Sequence, residues 1–429
     1  MPVRAFRSAR SAENSRSIGS TRTARSVRTA AVAAVGLSLL AVSAPATPAP
    51  DLRQASVKRP AATPILVGHR GAGGTAPENT VSALKGGRAS GADFIEIDVQ
   101  LSADGVPFLF HDDTPARTTN VEDVFPARAA DPITSFTWAE LQQLDAGSYF
   151  DRRFTGERIP HLDDAAAVGT RTTGVYIEIK SPWNSPGIEQ LVADELHTNP
   201  AWQKLVAADK VQVIGFDEAS NQRFAELAPE VQLQQLTGAV PGADVLAAWA
   251  TYVDSVGANY RVVKAEDVAR VKAAGLAMSV YTVNSPEAVQ AVTDLGVDAV
   301  TTDFPTESSR HLRGLPVFPG AIIEISGAVN DPLGNDVQPE TGEYVALRNA
   351  SGTAVDVSGY FLRDAANNIL VVGDGYVLQP GGELRVYTGP GTNSASDYYN
   401  GQGASLLNNT GDSLGLWTPD LRLVDVFAN

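Results

Sequence analysis

Short apolar runs and longer amphipathic stretches alternate along the middle of the chain. The runs fall at residues 65–69, 94–101, 174–180, 211–216, 231–237, near 252–256, and at 277–283 and 298–302. Each has the length of a strand and the stretches between them have helical spacing, which predicts a parallel sheet covered by helices. Helix starts are marked in the same region. Asn79-Thr80 precedes Val81-Ser82-Ala83-Leu84, and Asn284-Ser285-Pro286-Glu287 puts a capping residue before a proline. Eight strands over roughly 250 residues fit a (β/α)8 barrel. Periodicity alone leaves an open doubly wound sheet as an alternative.

Three regions depart from the alternation. Residues 113–160 carry Thr, Pro, Arg and Asp clusters, with one short helix expected at Trp138-Ala-Glu-Leu-Gln-Gln-Leu144. Beyond Pro316-Val-Phe-Pro-Gly320 the pattern shortens to strands at 322–325, 343–348, 355–362, 381–387 and 413–417, separated by Gly, Asn, Pro and Asp turns. That reads as an all-β sandwich. At the other end, a basic region from Arg4 to Arg28 precedes the apolar run Ala30–Ala44, and Ala44-Pro45-Ala46 has the small-residue form of a cleavage site. The run is short for a membrane span, and residues 1–46 contain no Arg-Arg pair.

The chemistry follows from four strand-like stretches. Side chains alternate across a strand, so in Phe94-Ile-Glu-Ile-Asp-Val99 the residues Ile95, Ile97 and Val99 share one face and Glu96 and Asp98 the other. Two neighbouring inward carboxylates repel and are costly to bury unless a cation compensates them, and an oxygen-liganded metal ion suits that position. In Gly174-Val-Tyr-Ile-Glu-Ile-Lys180, Glu178 and Lys180 again share one face. Ile65-Leu-Val-Gly-His69 and Val106-Pro-Phe-Leu-Phe-His111 are read as strands that each end in a histidine, the side chain that titrates near neutral pH.

His69-Arg70-Gly71, Pro77-Glu78-Asn79-Thr80, Glu96 through Asp113, Arg117-Thr-Thr119, Gly174 through Lys180, Tyr281-Thr-Val-Asn284 and Gly296 through Asp303 together resemble the glycerophosphodiester phosphodiesterase family over roughly residues 64–313. The resemblance implies the closed barrel, with 113–160 as the family's insertion after the second strand. It also implies hydrolysis of glycerophosphodiesters to glycerol 3-phosphate and an alcohol. Carried over residue by residue, it makes His69 and His111 the acid–base pair, and Glu96, Asp98 and Glu178 the ligands of one divalent cation, Ca2+ or Mg2+. Arg70 and Lys180 become phosphate-binding groups, Tyr281 a wall of the glycerol pocket, and Glu78 and Asn79 supports of the loop after the first strand. His161, His197 and His311 have no such company and are read as ordinary. The C-terminal stretch resembles a lamin-tail type immunoglobulin-like domain, with Ala346 where that family often has glutamate.

The expected organisation is a signal peptide at 1–46, a linker at 47–63, the barrel at 64–313, a linker at 314–319 and the β domain at 320–429. The formal charge is −16, and loss of the leader's seven arginines and one glutamate takes it to −22. That disfavours nucleic acid or an anionic membrane surface as a partner. The chain has no cysteine, which excludes disulfides and thiolate metal sites. The reading is therefore a secreted enzyme with a small-molecule diester substrate, no stable membrane insertion, and contact with a cell surface or wall through its β domain. Competing readings are phospholipase D-type action on lysolipids or sphingomyelin, trimming of a teichoic-acid wall polymer, and a surface binding or adhesion protein with an inactive barrel.

Overall fold

Every one of the eight apolar runs forms a strand of a single closed sheet. The computed structural model describes residues 63–429. The proposed signal peptide and all but the last residue of the linker after it lie outside the described residues. In chain order the strands are β1 (Ile65–Gly68), β2 (Phe94–Leu101), a side strand β3 (Pro107–Leu109), β4 (Gly174–Ile179), β5 (Val211–Gly215), β6 (Gln232–Thr237), β7 (Ser255–Asn259), β8 (Ala277–Tyr281) and β9 (Ala299–Thr302). All neighbours round the ring are parallel, and closure comes from β1, which pairs with β2 through Val67–Phe94 and with β9 through Ile65–Ala299. This is a TIM barrel, not an open sheet.

Alternation builds two cores. Ile95, Ile97 and Val99 join Val175, Ile177 and Ile179 in the apolar layer between sheet and helices. The opposite face starts at the bottom of the barrel with Val67, Phe94, Tyr176, Ile214 and Leu236, where the Phe94 and Tyr176 rings lie 4.8 Å apart. Above that plug, Glu96, Asp98 and Glu178 point inward nearer the C-terminal ends of the strands. Functional groups of such barrels gather at that end.

Local signals for helix starts are realised. Thr80 caps the helix Val81–Ala89 through its side chain, and Ser285 caps Pro286–Leu295 with the proline in the first turn. Three expectations for the barrel and its insertion need correction. The strand expected near 252–256 begins at Ser255, because the backbone at Tyr252 and Val253 still bonds to Trp249 and their apolar side chains fill the helix layer. The run ending in His111 is no barrel strand. Pro107–Leu109 lies antiparallel against Val99–Leu101 at the rim, and His111 follows it in a loop. The insertion's helix ends at Leu141, one turn early, although it starts at the expected Trp138 behind a capping box of Thr137 and Glu140. Residues 113–160 surround a satellite core of Phe108, Phe110, Val121, Phe136, Leu141 and Leu144.

Besides a two-stranded pair of Val355–Asp356 with Val377–Leu378, the C-terminal region folds as two four-stranded sheets. One contains Ile323–Val329, Tyr344–Asn349, Glu383–Tyr387 and Asp397–Tyr399, the other Phe361–Asp364, Ile369–Val371, Ser413–Trp417 and Leu423–Ala428. The single strand expected at 355–362 is broken by a turn at Gly359, whose φ of +73° ends the pairing of Val355–Asp356 before Phe361 starts again. Between the sheets lies an aliphatic core of Ile323, Val345, Leu347, Leu362, Leu384 and Leu416.

The β domain is fastened to the barrel by three polar side chains. Arg363, 7% exposed, lies 4.1 Å over the Phe150 ring of the insertion and donates to the Phe150 carbonyl at 3.0 Å. Asn367 donates to the Tyr149 carbonyl at 2.8 Å, and Arg261 after β7 donates to the carbonyls of Asp412 and Asn429. Among the described residues no helix is long and apolar enough to cross a membrane.

Candidate active site

β2 and β4 are neighbours in a register that sets Asp98 beside Glu178. One oxygen from each of Glu96, Asp98 and Glu178 lies within 4.8 Å of the others, and all three residues are buried. Positive charge in contact with them is limited. Lys180 Nζ sits 2.9 Å from Glu178 and 3.6 Å from Asp98, and Arg70 Nε sits 3.5 Å from Asp98. Glu96 receives one backbone hydrogen bond, from Arg70 N at 2.7 Å. Oε1 of Glu96 and Oδ1 of Asp98 are left buried without a hydrogen-bond donor.

The electrostatic consequence differs for each carboxyl. Burial, then repulsion from Asp98 and Glu178, pushes Glu96 well above the ordinary glutamate range. Burial and Asp98 also raise Glu178, despite Lys180. Burial works against ionised Asp98 as well, but His111, Lys180, Arg70 and the Asn79 amide hold it below its usual value. Three carboxylates facing two cations, with orphaned oxygens at the centre, form a donor set that fits a hard divalent cation. A purely structural set of salt bridges would leave those oxygens desolvated and without a hydrogen-bond donor.

Both histidines are gripped at the same ring atom. His69, directly after β1, has Nδ1 2.7 Å from Oδ1 of Asp303, which directly follows β9. Asp303 also accepts from Asn284 at 2.7 Å. Burial opposes its charge, but His69 and Arg70 hold its carboxyl below the usual range. His111 Nδ1 lies 2.7 Å from Asp112, which Arg117 holds in turn at 2.6 Å. With Nδ1 occupied, Nε2 is the ring atom free to carry a proton to or from a ligand.

The loop after β1 explains its own sequence. Gly71 adopts φ of +88° and passes so close to the Val81–Ala89 helix that a Cβ would lie 2.4 Å from the Ala83 carbonyl carbon. Arg70 and Asn79 are left-handed too, at φ of 49° and 57°. Glu78 pairs with Arg70 at 2.7 Å and with Arg117 at 2.8 Å, and Asn79 makes two hydrogen bonds to Asp98, one to its carboxylate and one to its backbone. Tyr281 ends β8 in the cleft, donates to the Thr237 carbonyl at 2.8 Å and meets Phe216 edge-on. The residues read from the sequence as site candidates thus converge on one mouth. His161, His197 and His311 lie apart from it, bonded to Asp163, Glu230 and Gln290.

Some site residues escaped the sequence reading. Asp303 and Asp112 stood inside quoted motifs, and a carboxylate next to a strand end or beside a histidine was the available signal. Arg117 stood in the Arg117-Thr-Thr119 motif, whereas the β-domain residues at the cleft carried no signal. A barrel cavity of about 240 Å3 is lined by both histidines, Glu96, Glu178, Lys180, Phe216 and Tyr281.

A TIM barrel with two carboxylate-held histidines and an acidic cluster at the C-terminal mouth is the architecture of a barrel enzyme. Residues 69–307, more than half of the chain, match the model of the glycerophosphoryl diester phosphodiesterase family, and residues 317–429 match that of the Lamin Tail Domain. The chain belongs to the glycerophosphoryl diester phosphodiesterase family. A glycerophosphodiester phosphodiesterase of Caldanaerobacter subterraneus is 32% identical over 245 residues, covering 56% of this chain and 94% of that one. One of Bacillus subtilis is 29% identical over 253 residues, covering 56% and 84%. Among solved structures, a putative glycerophosphoryl diester phosphodiesterase of Agrobacterium tumefaciens superposes with a TM-score of 0.51 at 20% identity over 59% of this chain and 98% of that one, a likeness of fold.

Proposed function

We propose that the protein is a secreted enzyme that hydrolyses glycerophosphodiesters to glycerol 3-phosphate and an alcohol by proton transfer through His69 and His111, at a site where Glu96, Asp98 and Glu178 hold one divalent cation. The observation that carries the reading is the conjunction at one mouth of two histidines held at Nδ1 by carboxylates and three buried carboxylates with two orphaned oxygens. A bound Ca2+ or Mg2+ would supply Lewis-acid stabilisation of a phosphoryl oxygen.

The chain's own residues account for the remaining chemistry. One histidine removes the proton from a water or from the substrate's 2-hydroxyl as that oxygen bonds to phosphorus, and the other delivers a proton to the departing alkoxide. The 2-hydroxyl route leaves a cyclic phosphodiester, which water then opens with the two roles exchanged to give glycerol 3-phosphate. Asp303 and Asp112 favour the tautomer with Nε2 free and stabilise each imidazolium as it forms. Arg70 and Lys180 use only part of their donor capacity on Glu78, Asp98 and Glu178, so donors remain for the non-bridging phosphate oxygens. Their rigid anchoring limits reorganisation as charge builds. Secretion is supported by the basic, apolar and Ala44-Pro45-Ala46 segments in order.

The test is release of glycerol 3-phosphate from glycerophosphocholine, with EDTA and then with added Ca2+ or Mg2+. Loss with EDTA and recovery with either ion is the expected result. Activity indifferent to EDTA would remove the metal from the proposal. No release would turn the question to lysolipids and wall polymers.

A further inference from the structure

The active-site cleft has two lobes, and only one is built by the barrel alone. The inner lobe reaches from His69, Arg70, Tyr281 and Thr282 down to Glu96 and Glu178. A second lobe of about 350 Å3 shares those first four residues and extends outward to Asp364, Ala365, Asn367, Asn408 and Asp412 of the β domain. A diester held at the shared residues has one substituent in each lobe. Resting on the diesterase reading above, we infer that the C-terminal β domain forms the wall against which the leaving alcohol docks, and that this wall favours an uncharged alcohol rich in hydroxyl groups.

The wall is fixed in place. Arg363 and Asn367 tie it to Phe150 and Tyr149, and Arg261 ties the loops ending at Asp412 and Asn429 to the strand end of β7. The same segment of the insertion reaches the catalytic network, because the Glu78 N–H donates to the Tyr149 hydroxyl at 3.1 Å. Contacts of this kind hold a specificity surface in register with the reacting centre.

Its chemistry narrows the alcohol. No Leu, Ile, Val or Met lines the outer lobe, and of its aromatic groups Tyr149, Phe150 and Phe304 the Phe150 ring is already covered by Arg363, so an acyl chain would find little apolar surface there. Charge in the outer part of the lobe is balanced, with Arg261 and Arg363 against Asp364 and Asp412. Both carboxylates are already engaged: Asp364 accepts from Asn368 N at 2.6 Å, and Asp412 from Ser413 N at 2.7 Å and Asn408 N at 3.1 Å. A quaternary ammonium therefore meets no uncommitted anion. The lining also includes the amides of Asn259, Asn367 and Asn408 and the hydroxyl groups of Thr282 and Ser413. Hydroxyl groups, which both give and accept hydrogen bonds, match such a surface.

The experiment compares three full-length substrates on the intact chain: the inositol, choline and methyl esters of glycerol 3-phosphate. Wild type is expected to turn over the inositol ester with kcat/KM about tenfold above the choline ester. Ala365→Trp, at an exposed position of the outer lobe, is expected to lower kcat/KM for the inositol ester about tenfold while the methyl ester stays within about twofold. Turnover of the methyl ester also reports that the variant is folded. Equal slowing of both esters by Ala365→Trp, or slowing of neither, would overturn the wall; a wild-type preference for the choline ester would overturn the hydroxyl-rich alcohol. If wild type released glycerol 3-phosphate from none of the three, the diesterase reading would fail first, before any variant was made, and this inference with it.

Discussion

Both the barrel and the β domain bury polar side chains, but they use them in opposite ways. In the β domain, Asn349 is fully buried and closes a loop by donating to the Thr353 and Leu378 carbonyls, and Glu343 accepts from the backbone of Leu406 and Leu407. Asn330 likewise bridges Asn408 and Asn429. These groups satisfy backbone that turns away from a sheet, which is architecture. In the barrel, Glu96, Asp98 and Glu178 face each other across the centre, and only Glu96 serves the backbone, through the single Arg70 N–H. Burying like charges together works against stability, so the arrangement marks the place where a ligand is meant to complete the charge.

The comparison can be broken at three levels. The largest effect belongs to the histidines. His69→Ala and His111→Ala are each expected to lower kcat by about 10²- to 10⁴-fold with little change in thermal unfolding, read from steady-state kinetics and a melt. Near-native kcat in both would return the mouth of the barrel to mere architecture. Next comes the seam between the two regions. Arg363→Ala removes a buried stacked guanidinium and its bond to the Phe150 carbonyl, and is expected to cost about 2 kcal/mol in urea unfolding. An unchanged midpoint would mean that the two regions are not energetically joined there.

The smallest effect concerns Glu307, a carboxylate that serves neither purpose. It lies on the helix Pro305–Leu312, its Oε2 has no partner, and burial pushes it up to about 7. An acid raised in the folded state favours the native protein while protonated. That advantage is complete below the unfolded value near 4.5 and is lost as pH rises from there to about 7, then stays level. Glu307→Gln should therefore match wild type at pH 4.5 and exceed it by about 1 kcal/mol at pH 8, allowing for partial solvent contact. A difference independent of pH would refute this account.

Much of this protein is legible without coordinates because the relevant physics is local. Strand alternation placed Glu96 and Asp98 on the face opposite Ile95 and Ile97, and that follows from backbone geometry alone. Thr80 and Ser285 cap helices through hydrogen bonds that span three residues, so their role is written beside them. The same local logic failed where an apolar run had another duty, as at Tyr252-Val253 under a helix and at Phe108-Leu109-Phe110 beneath the insertion. Tertiary structure alone decided the rest. The closing pair of β1 and β9, the Asp303 carboxylate that holds His69 across 234 residues, and the seat of Arg363 on Phe150 across 213 all join segments distant in sequence. Which polar loop residue meets which histidine depends on how many strands complete the ring and where each ends. No periodicity along the chain carries that information.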